Sequence, residues 1–392
     1  MGLFGSHARV GASAAGSYEI ERSLRFNDED SAYLHRTFSS DGNLKLFTYS
    51  FWFKSDVGIN ADGDLNSPPI FGAGYSGGGL TQGDSGIRIE SQGQLNVYHE
   101  SNNSTDWSLK TSMQFRDPGA WYHVVTAFDT AQAVAANRLK LWINGVLQTD
   151  FATSGRPGQN DDCKQNKANV RIGARDGSGS PYDYWEGYLA EWHVVDGAAK
   201  EATDFGEFDS STGQWIPKKY TGTHGTNGYY LDFSDNSGAT ATTIGADASA
   251  NSNNFTPVNF SVSGAATDSF EDTPTNNFCT MNPLAGRSGV EVTPADGSLY
   301  TALSDAGTYQ VVTATQAITS GKWYWEATVT AVGSQCNIGV TSATWNQNDV
   351  PVKARRDYQN NGNKNTTTNG TNTATSSWGA TYTTGDVIGV AV

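Results

Sequence analysis

Residues 46–55, LFTYSFWFKS, alternate between two kinds of side chain with a period of two residues. One face of an extended chain would carry four aromatic rings, those of Phe47, Tyr49, Phe51 and Phe53. The other face would carry Thr48, Ser50, Trp52 and Lys54. A helix would spread the same rings around its surface, so the pattern predicts a β-strand. Because a tryptophan lies on the otherwise polar face, we expect a central strand that is partly covered on both sides.

Composition extends this prediction to the whole chain. Only 37% of the 392 residues are hydrophobic, yet 11% are aromatic and 44 are glycine. Few aliphatic side chains, many aromatic ones and glycine-rich turns are typical of sandwiches of short strands, so we predict an all-β protein. The chain also exceeds the size at which one hydrophobic core usually keeps growing, and we expect two or more domains.

A hairpin signal lies in the first half of the chain. Residues 121–129, WYHVVTAFD, are followed by residues 137–148, NRLKLWINGVLQ, in which Asn144 and Gly145 separate two apolar runs. Both residues tolerate the positive φ of a type I′ turn, so the dipeptide predicts a tight β-hairpin.

Five segments occur in an order that resembles a known family: FTYSFWFK, GAWYHVVTAFD, LKLWINGVLQ, VRIGAR and YWEGYLAEWHVVDG. From Tyr18 to Gly197 the sequence is similar to the LamG, or concanavalin A-like, jelly-roll family. The resemblance implies a LamG-like antiparallel β-sandwich at residues 18–200. Residues 201–261 continue with turn signals and brief aromatic strands, and we interpret them as a strand-rich extension of the sandwich.

The C-terminal part resembles a second family. We interpret residues 262–284 as a polar linker. Beyond the linker, SGKWYWEATV, CNIGVTSATW and GDVIGVAV are similar to three consecutive strands of the SPRY family, which implies a SPRY-like sandwich at residues 285–392. In the first of these strands the side chains expected to face the core are Trp323, Trp325, Ala327 and Val329. SPRY sheets continue beyond the last strand, so we expect a domain truncated at its C-terminal end and a longer full protein.

Charge and cysteine content disfavour several functions. The formal net charge of −15 argues against nucleic-acid binding, which relies on Lys and Arg to neutralise phosphates. The three cysteines are too few and too widely spaced for a disulfide framework or a zinc knuckle, which favours folding in a reducing compartment. The sequence has no apolar run long enough to span a bilayer, so we expect no membrane insertion.

The sequence offers little for catalysis. Glycosidases need two carboxylates that flank a cleft, and the E-x-D-x-x-E pattern of related β-glucanases is absent. We expect Glu19 and Glu21 on a solvated edge, and Glu191 lies where LamG-like strands often carry an acid without a catalytic role. His123 and His193 lie within predicted strands and are expected to be packing residues. We therefore predict that the protein is not an enzyme.

Calcium is the one cofactor for which the sequence offers ligands. LamG-like proteins commonly hold calcium with Asp, Asn and backbone oxygens at one rim, and the resemblance points to Asp176 and Asp183. Further oxygen ligands are available from Asp28, Asp30, Asp247 and Asn253. Asp and Asn are also the default turn residues, so a purely structural role is the alternative.

Carbohydrate is the expected ligand. Sugar binding uses aromatic faces and polar side chains on loops that a rigid scaffold holds in place. The aromatic residues predicted to contact a glycan are Tyr75, Trp107, Tyr182, Tyr184 and Trp185. The alternative for each ring is that it packs beneath its own loop.

Residues 1–17 form a small-residue arm that is too poor in bulky side chains to pack alone. We expect the arm to become ordered against another subunit and to anchor the protein there. The residues predicted to make this contact are Leu3, Phe4, Arg9 and Val10.

The combination of arm, LamG-like sandwich, extension, linker and SPRY-like sandwich resembles structural proteins of marine tailed bacteriophages. The resemblance implies a virion protein, assembled in the cytoplasm of the bacterial host. It implies in particular a tail fibre that binds other virion proteins through its arm, forms a homotrimer and presents its sandwiches to host-surface carbohydrate. One alternative is a capsid decoration or head fibre protein without glycan binding, and another is a polysaccharide depolymerase.

Overall fold

The computed structural model describes residues 18–55, 68–73, 85–90, 92–101, 104–177, 180–263, 267–282, 293–295, 300–302, 312–318, 320–332, 335–342, 354–368 and 371–392. The chain divides into two compact units, one comprising Arg9–Phe278 and the other including Cys279–Val392. Strands make up nearly all of the regular structure, which confirms the predicted all-β class. The described helices are single 3-10 turns at Ala135–Asn137, Lys164–Asn166 and Ala202–Asp204, and none of these helices has the length to cross a membrane.

The first unit contains twenty strands among its described residues. Their bounds are β1 (Ser23–Phe26), β2 (Tyr33–Thr37), β3 (Leu46–Ser55), β4 (Pro69–Ala73), β5 (Ser85–Ile89), β6 (Gln94–Ser101), β7 (Ser104–Gln114), β8 (Tyr122–Asp129), β9 (Leu139–Ile143), β10 (Val146–Leu147), β11 (Phe151–Ser154), β12 (Asn169–Ile172), β13 (Ala174–Gly177), β14 (Ser180–Tyr184), β15 (Gly187–Asp196), β16 (Gly206–Phe208), β17 (Trp215–Pro217), β18 (Tyr229–Leu231), β19 (Thr256–Val258) and β20 (Ser269–Phe270).

Two eight-stranded sheets form a sandwich. The first sheet has the order β10-β9-β8-β3-β15-β1-β20, with β18 also paired to β15. The second sheet has the order β11-β7-β6-β5-β4-β12-β2-β19. All of these pairings are antiparallel, as the predicted LamG-like sandwich requires. The hairpins β13-β14 and β16-β17 lie outside the two sheets.

The hydrophobic core lies between the inward faces of the sheets. The four aromatic rings of β3 are all buried in it, and β3 lies between β8 and β15 with nine of its ten residues buried. The alternation in residues 46–55 therefore predicted a central strand covered on both faces, and the structure confirms it. The ring of Trp192 on β15 stacks on Phe51 with ring centroids 4.6 Å apart and lies 5.9 Å from Phe71 of the second sheet. Trp192 thus joins the two layers.

The hairpin predicted at Asn144 and Gly145 is present. Ile143 pairs with Val146 across the turn, and the two turn residues have φ angles of 46° and 78°. A Cβ added to Gly145 would lie 2.3 Å from the indole of Trp215. Glycine is therefore required here both for the backbone conformation and for the close approach of the indole.

A β-bulge in β15 changes which residues face the core. Ala190 pairs with Trp52 and His193 with Ser50, so one extra residue lies between these pairs. The extra position is Glu191, whose φ is 51°. Because of the bulge, Glu191 and His193 both lie away from the core, whereas Trp192 points into it.

Later parts of the chain cover the outer face of the first sheet. Phe205 and Tyr220 from residues 201–261 pack with Val125 and Trp142 of the sheet, and β18 and β19 add strands to the two sheets. Residues 267–278, which the sequence analysis placed in a linker, belong to the first unit instead, because β20 pairs with β1 and extends the first sheet.

The second unit contains smaller sheets among its described residues. Its strands are β21 (Thr293–Ala295), β22 (Tyr300–Ala302), β23 (Tyr324–Thr328), β24 (Asn337–Thr341), β25 (Ala354–Gln359), β26 (Lys364–Thr368), β27 (Thr371–Thr375) and β28 (Val387–Ala391). The pairings are β21-β22, β23-β28 and the four-stranded order β24-β25-β26-β27. The three segments expected as consecutive strands do contain strands β23, β24 and β28, but β25, β26 and β27 intervene between the last two.

The side chains of β23 do not separate into the expected faces. Val329, directly after the strand, is buried, and Trp323 and Ala327 are half-buried. Trp325 is 36% exposed, however, although the pattern placed it in the core. The β23-β28 pair is a two-stranded ladder in the described part of the chain.

Candidate functional site

The outer face of the second sheet carries one row of residues in register across six strands. From β2 to β7 the row reads His35, Arg171, Gly72, Gly86, Tyr98 and Ser108. A Cβ on Gly86 would lie 2.3 Å from the backbone oxygen of Phe71 and 3.0 Å from the Tyr98 hydroxyl, so glycine leaves room for both neighbours. The Arg88 guanidinium lies over the Tyr98 ring, with its carbon 4.1 Å from the ring centroid. This face is therefore built from aromatic rings and arginines.

At the β2 end of the row, six side chains form what we call the tyrosine–arginine surface. Its members are Tyr33, His35, Arg171, Arg175, Tyr182 and Tyr184. The Tyr33 ring centroid lies 6.1 Å from that of Tyr184 and 5.8 Å from that of His35. The Arg171 guanidinium carbon lies 5.3 Å from the Tyr33 centroid. The rings thus form a continuous aromatic path flanked by cationic groups.

The β13-β14 hairpin supplies half of this surface. Arg175 pairs with Tyr182 in the ladder, and the guanidinium carbon of Arg175 lies 5.8 Å from the Tyr182 ring centroid. A carboxylate oxygen of Asp183 lies 3.7 Å from Nη1 of Arg175, and the Tyr184 hydroxyl donates to the Pro181 carbonyl at 3.2 Å. The hairpin thereby holds its tyrosines against β2.

The tyrosine–arginine surface combines half-buried rings with the buried Arg171, which is 9% exposed. Its four ring side chains, Tyr33, His35, Tyr182 and Tyr184, are all half-buried. Half-buried rings present apolar faces, and guanidinium groups donate hydrogen bonds in a fixed fork. The arrangement is suited to a polar ligand that also has flat C–H surfaces.

A second polar cluster lies beneath the extension, on the outer face of the first sheet. Both carboxylate oxygens of Glu191 accept hydrogen bonds, from Tyr18 at 2.8 Å and from Tyr230 at 2.5 Å. His193 stacks on Tyr230 at 4.0 Å, and its Nδ1 lies 3.2 Å from Nε2 of His224. Burial and the Glu191 charge raise the pKa values of both tyrosine hydroxyls. The cluster fixes Tyr18, the first described residue, to the sandwich.

The buried histidine on β8 is a packing residue. His123 lies between the rings of Trp52 and Trp215, at 4.7 and 5.9 Å. Its Nδ1 accepts a hydrogen bond from Trp215 Nε1 at 3.0 Å, so the proton lies on Nε2 and is donated to Ser50 Oγ at 2.9 Å. Burial lowers the pKa of His123 from 6.5 to about 3, with a smaller contribution from His193. The imidazole is therefore neutral at physiological pH.

The family model of the concanavalin A-like lectin/glucanases superfamily, Laminin_G_3, matches residues 27–203. The match covers 177 of the 392 residues, all of them in the first unit. Curated proteins give no match to the chain. Similar solved structures include a native heptameric SAP-like pentraxin from Limulus polyphemus, with 19% identity over 47% of this chain and 80% of that chain and a TM-score of 0.33.

Two further solved structures are similar to the chain. One is the CBM40 of the Ruminococcus gnavus IT-sialidase, with 13% identity over 47% of this chain and 96% of that chain and a TM-score of 0.31. The other comprises domains LG4-5 of the mouse laminin alpha1 chain, with 8% identity over 100% of this chain and 77% of that chain and a TM-score of 0.33.

The first unit brings together only part of the predicted glycan site. Tyr182 and Tyr184 lie on the tyrosine–arginine surface, as half-buried residues. Trp107 and Trp185 are 8% and 1% exposed and belong to the hydrophobic core, so their ring faces are occupied by protein and the prediction for them was wrong. Tyr75 lies outside the described residues.

Sequence reasoning missed Tyr33, His35 and Arg171. A usable signal was present in β2, YLHRT, where Tyr33 and His35 alternate with the buried Leu34. Arg171 likewise alternates with the buried Val170 and Ile172. Alternation identifies these residues as outward-facing, but only the pairing of β2 with β12 shows that they share one surface.

The carboxylates proposed for calcium do not form a site among the described side chains. Asp183 faces Arg175, and the side chain of Asp176, on β13, lies outside the described residues. Asp247 accepts hydrogen bonds from the backbone N–H groups of Tyr230, Ser249 and Asn253, which makes it a loop-ordering residue. Across the described part of the chain, no group of three or more His, Cys, Asp or Glu side chains is placed to hold a metal ion.

The remaining acidic residues and the anchoring residues named from the sequence lie in three different settings. Glu19 and Glu21 are exposed, as expected for a solvated edge. Asp30 accepts a hydrogen bond from the Asn27 side chain at 2.9 Å, and burial raises the pKa of Asp28. The anchoring residues Leu3, Phe4, Arg9 and Val10 lie outside the described residues.

Proposed function

We propose that the protein is a structural protein of a tailed-bacteriophage virion, a tail fibre that binds host-surface carbohydrate through its tyrosine–arginine surface and catalyses no reaction. The observation that carries the proposal is the contiguous set of half-buried rings around Tyr33, flanked by Arg171 and Arg175, on a domain of the lectin/glucanase superfamily. A pyranose ring offers C–H faces for the tyrosines and hydroxyl oxygens for the guanidinium and imidazole donors.

A binding role is favoured over hydrolysis by the state of Glu191. Glycoside hydrolysis needs two carboxylates on either side of a cleft, one acting as an acid and the other as a base or nucleophile. Glu191 is 5% exposed, and tyrosine hydroxyls occupy both of its oxygens. This carboxylate stabilises the cluster that holds Tyr18 and faces no substrate.

The virion role rests on the arrangement of the whole chain. The proposal places the N-terminal arm, with Leu3, Phe4, Arg9 and Val10, against other virion proteins, and it treats the second unit as a SPRY-like sandwich. Trimerisation would multiply weak sugar contacts into useful avidity. The site of assembly in this proposal is the cytoplasm of the bacterial host.

A glycan array with the purified protein tests the binding role. We expect binding to a bacterial surface glycan, and we expect Tyr33→Ala and Tyr184→Ala each to weaken it about tenfold, because losing about 1.4 kcal/mol of ring contact corresponds to that factor. Phe208→Ala is the matched control, since Phe208 is 53% exposed on β16, away from this surface. An array without any binding, or equal loss in all three variants, would contradict the proposed surface.

Deletion of residues 1–17 tests the virion role. We expect the truncated protein to remain folded, with unchanged thermal unfolding, but to be missing from purified particles because the anchoring arm is gone. Labelling of the intact protein for electron microscopy of particles then gives its location. Label on the tail supports the fibre, label on the capsid supports the decoration protein, and incorporation of the truncated protein would show that the arm is not the anchor.

A further inference from the structure

A lysine, an aspartate and an asparagine meet at the outer face of β3. Nζ of Lys54 lies 2.9 Å from a carboxylate oxygen of Asp272 and 3.0 Å from the amide oxygen Oδ1 of Asn277. It also donates to the backbone carbonyl of Phe278 at 2.9 Å. Lys54 lies on the central strand, whereas Asp272 and Asn277 lie in the last residues of the first unit. The amine and the amide are thus in contact although 223 positions separate them in sequence.

The surroundings bury the ion pair and fix the orientation of each group. The side chains of Lys54 and Asp272 are 1% and 3% exposed. Trp121 Nε1 and the backbone N–H of Phe278 donate to the second carboxylate oxygen of Asp272, at 3.0 and 3.1 Å. The Asn277 amide nitrogen donates to the Gly119 carbonyl at 2.7 Å, which turns its carbonyl group toward the lysine. A nucleophile, an electrophile and an acid–base group therefore lie together, with the ion pair buried and Asn277 half-buried.

We propose that Lys54 and Asn277 become joined by an intramolecular isopeptide bond, and that Asp272 is the catalytic residue of this self-modification. Holding the reacting groups in contact converts a very slow bimolecular aminolysis into an intramolecular reaction, and effective molarities for well-oriented groups are very large. A carboxylate that touches the amine supplies the proton transfers.

The step balances without a co-reactant. The Lys54 ammonium gives one proton to Asp272, and the resulting amine attacks Cγ of Asn277 to form the new N–C bond. The bond between Cγ and Nδ2 then breaks, while the carbonyl double bond to Oδ1 is restored. Both protons lost from Nζ end on Nδ2, which leaves as an ammonium ion, and Asp272 returns to the carboxylate form. Neither an oxidant nor a metal takes part in this reaction.

The second buried ion pair of the unit provides the comparison. Nη2 of Arg25 lies 2.8 Å from Asp268, and both side chains are as deeply buried as those of Lys54 and Asp272. Arg25 is not a nucleophile at any accessible pH, because the guanidinium group stays protonated. The two pairs therefore share a packing role, but the pair at Lys54 contains an amine that can attack, and that amine contacts the Asn277 amide.

The bond would close a covalent ring between the middle of the sandwich and the end of the first unit. Cross-links that close long loops restrict the unfolded chain the most. A pulling force applied at residue 278 would then act directly on the central strand β3. It would not act on the hydrogen bonds between β20 and β1. Such a device suits a protein that must stay folded under load.

Intact-mass spectrometry of the purified full chain is the test. We expect the mass to be lower than that calculated from the sequence by one molecule of ammonia, and we expect a tryptic digest to contain a branched peptide that joins Lys54 to Asn277. In Lys54→Arg and Asn277→Ala the mass deficit and the branched peptide should both disappear. Asn277→Ala retains the ion pair with Asp272, so loss of the bond in that variant does not depend on misfolding.

The control variant and a gel assay complete the experiment. Asp268→Asn perturbs the matched ion pair at Arg25 and should retain the mass deficit and the branched peptide, whereas Asp272→Asn should lose both. In denaturing electrophoresis the wild-type chain should migrate faster than Asn277→Ala, because an internal ring keeps the denatured chain compact. A wild-type mass equal to the calculated one after prolonged incubation of the folded protein would overturn the proposal.

Discussion

Replacement of Trp192 by alanine is expected to lower the free energy of unfolding of the first unit by about 3–5 kcal/mol, the usual cost of truncating a large buried aromatic side chain. Trp192 is fully buried, stacks on Phe51 and lies within 6.2 Å of both Tyr49 and Phe71, measured between ring centroids. Its removal leaves a cavity between the two sheets that the rigid strands around it can fill only in part.

Urea unfolding followed by far-UV circular dichroism measures this effect. Trp192→Phe is the matched control, because phenylalanine restores most of the stacked area and should cost less than half as much as alanine. Equal losses for the two variants, or a loss below about 1 kcal/mol for alanine, would contradict the assignment of Trp192 as the residue that joins the layers.

Local sequence signals were sufficient to predict β3 and the hairpin between β9 and β10. In β3 the period of two residues identified the strand and its coverage on both faces, and Asn144 with Gly145 identified the hairpin. These features are local, because strand geometry and turn geometry depend on residues that are adjacent in sequence. The bulge at Glu191 lacked such a signal, since a bulge is defined by the partner strand.

The candidate site could be predicted only in part because it depends on strand pairing. Trp107 and Trp185 are of a type that binds ligands, but both rings lie in the core. The register of β7 sets the direction of Trp107, and Trp185 lies in the short link between β14 and β15. Tyr33 and Tyr184 are 151 positions apart in sequence. They are in contact because the β13-β14 hairpin folds back onto β2. Local sequence carries no information about that contact.

The linker prediction shows the same limit for charged residues. Residues 267–278 are polar and contain Asp268 and Asp272, a composition typical of loops. Their partners, Arg25 and Lys54, lie more than two hundred positions earlier, and both ion pairs are buried. Residues 267–278 contact the first sheet through buried ion pairs and have no hydrophobic pattern. Their place in that sheet could therefore not be predicted from the sequence.

Acidification is expected to destabilise the first unit, and the effect should begin near pH 6.5. Burial, with a smaller effect of His193, lowers the pKa of His123 from 6.5 to about 3 and that of His224 from 6.5 to about 4. Below pH 6.5 the unfolded chain takes up protons at both histidines, whereas the folded chain does not. Stability is therefore fully present above pH 6.5 and falls as the pH falls toward about 4.

The two histidines should together lower the free energy of unfolding by several kcal/mol between pH 7 and pH 4, since each pKa unit corresponds to about 1.4 kcal/mol. Three carboxyl groups act in the opposite direction, because burial raises the pKa values of Asp28, Asp232 and Asp268 and their protonation favours the folded state in acid. His224→Gln separates these contributions: urea unfolding at pH 7, 5.5 and 4.5 should show a shallower loss of stability in the variant than in the wild type. Parallel curves of stability against pH for the variant and the wild type would contradict this prediction. They would mean that His224 takes up its proton as readily in the folded chain as in the unfolded one, so that its stacking does not make the unit sensitive to acid.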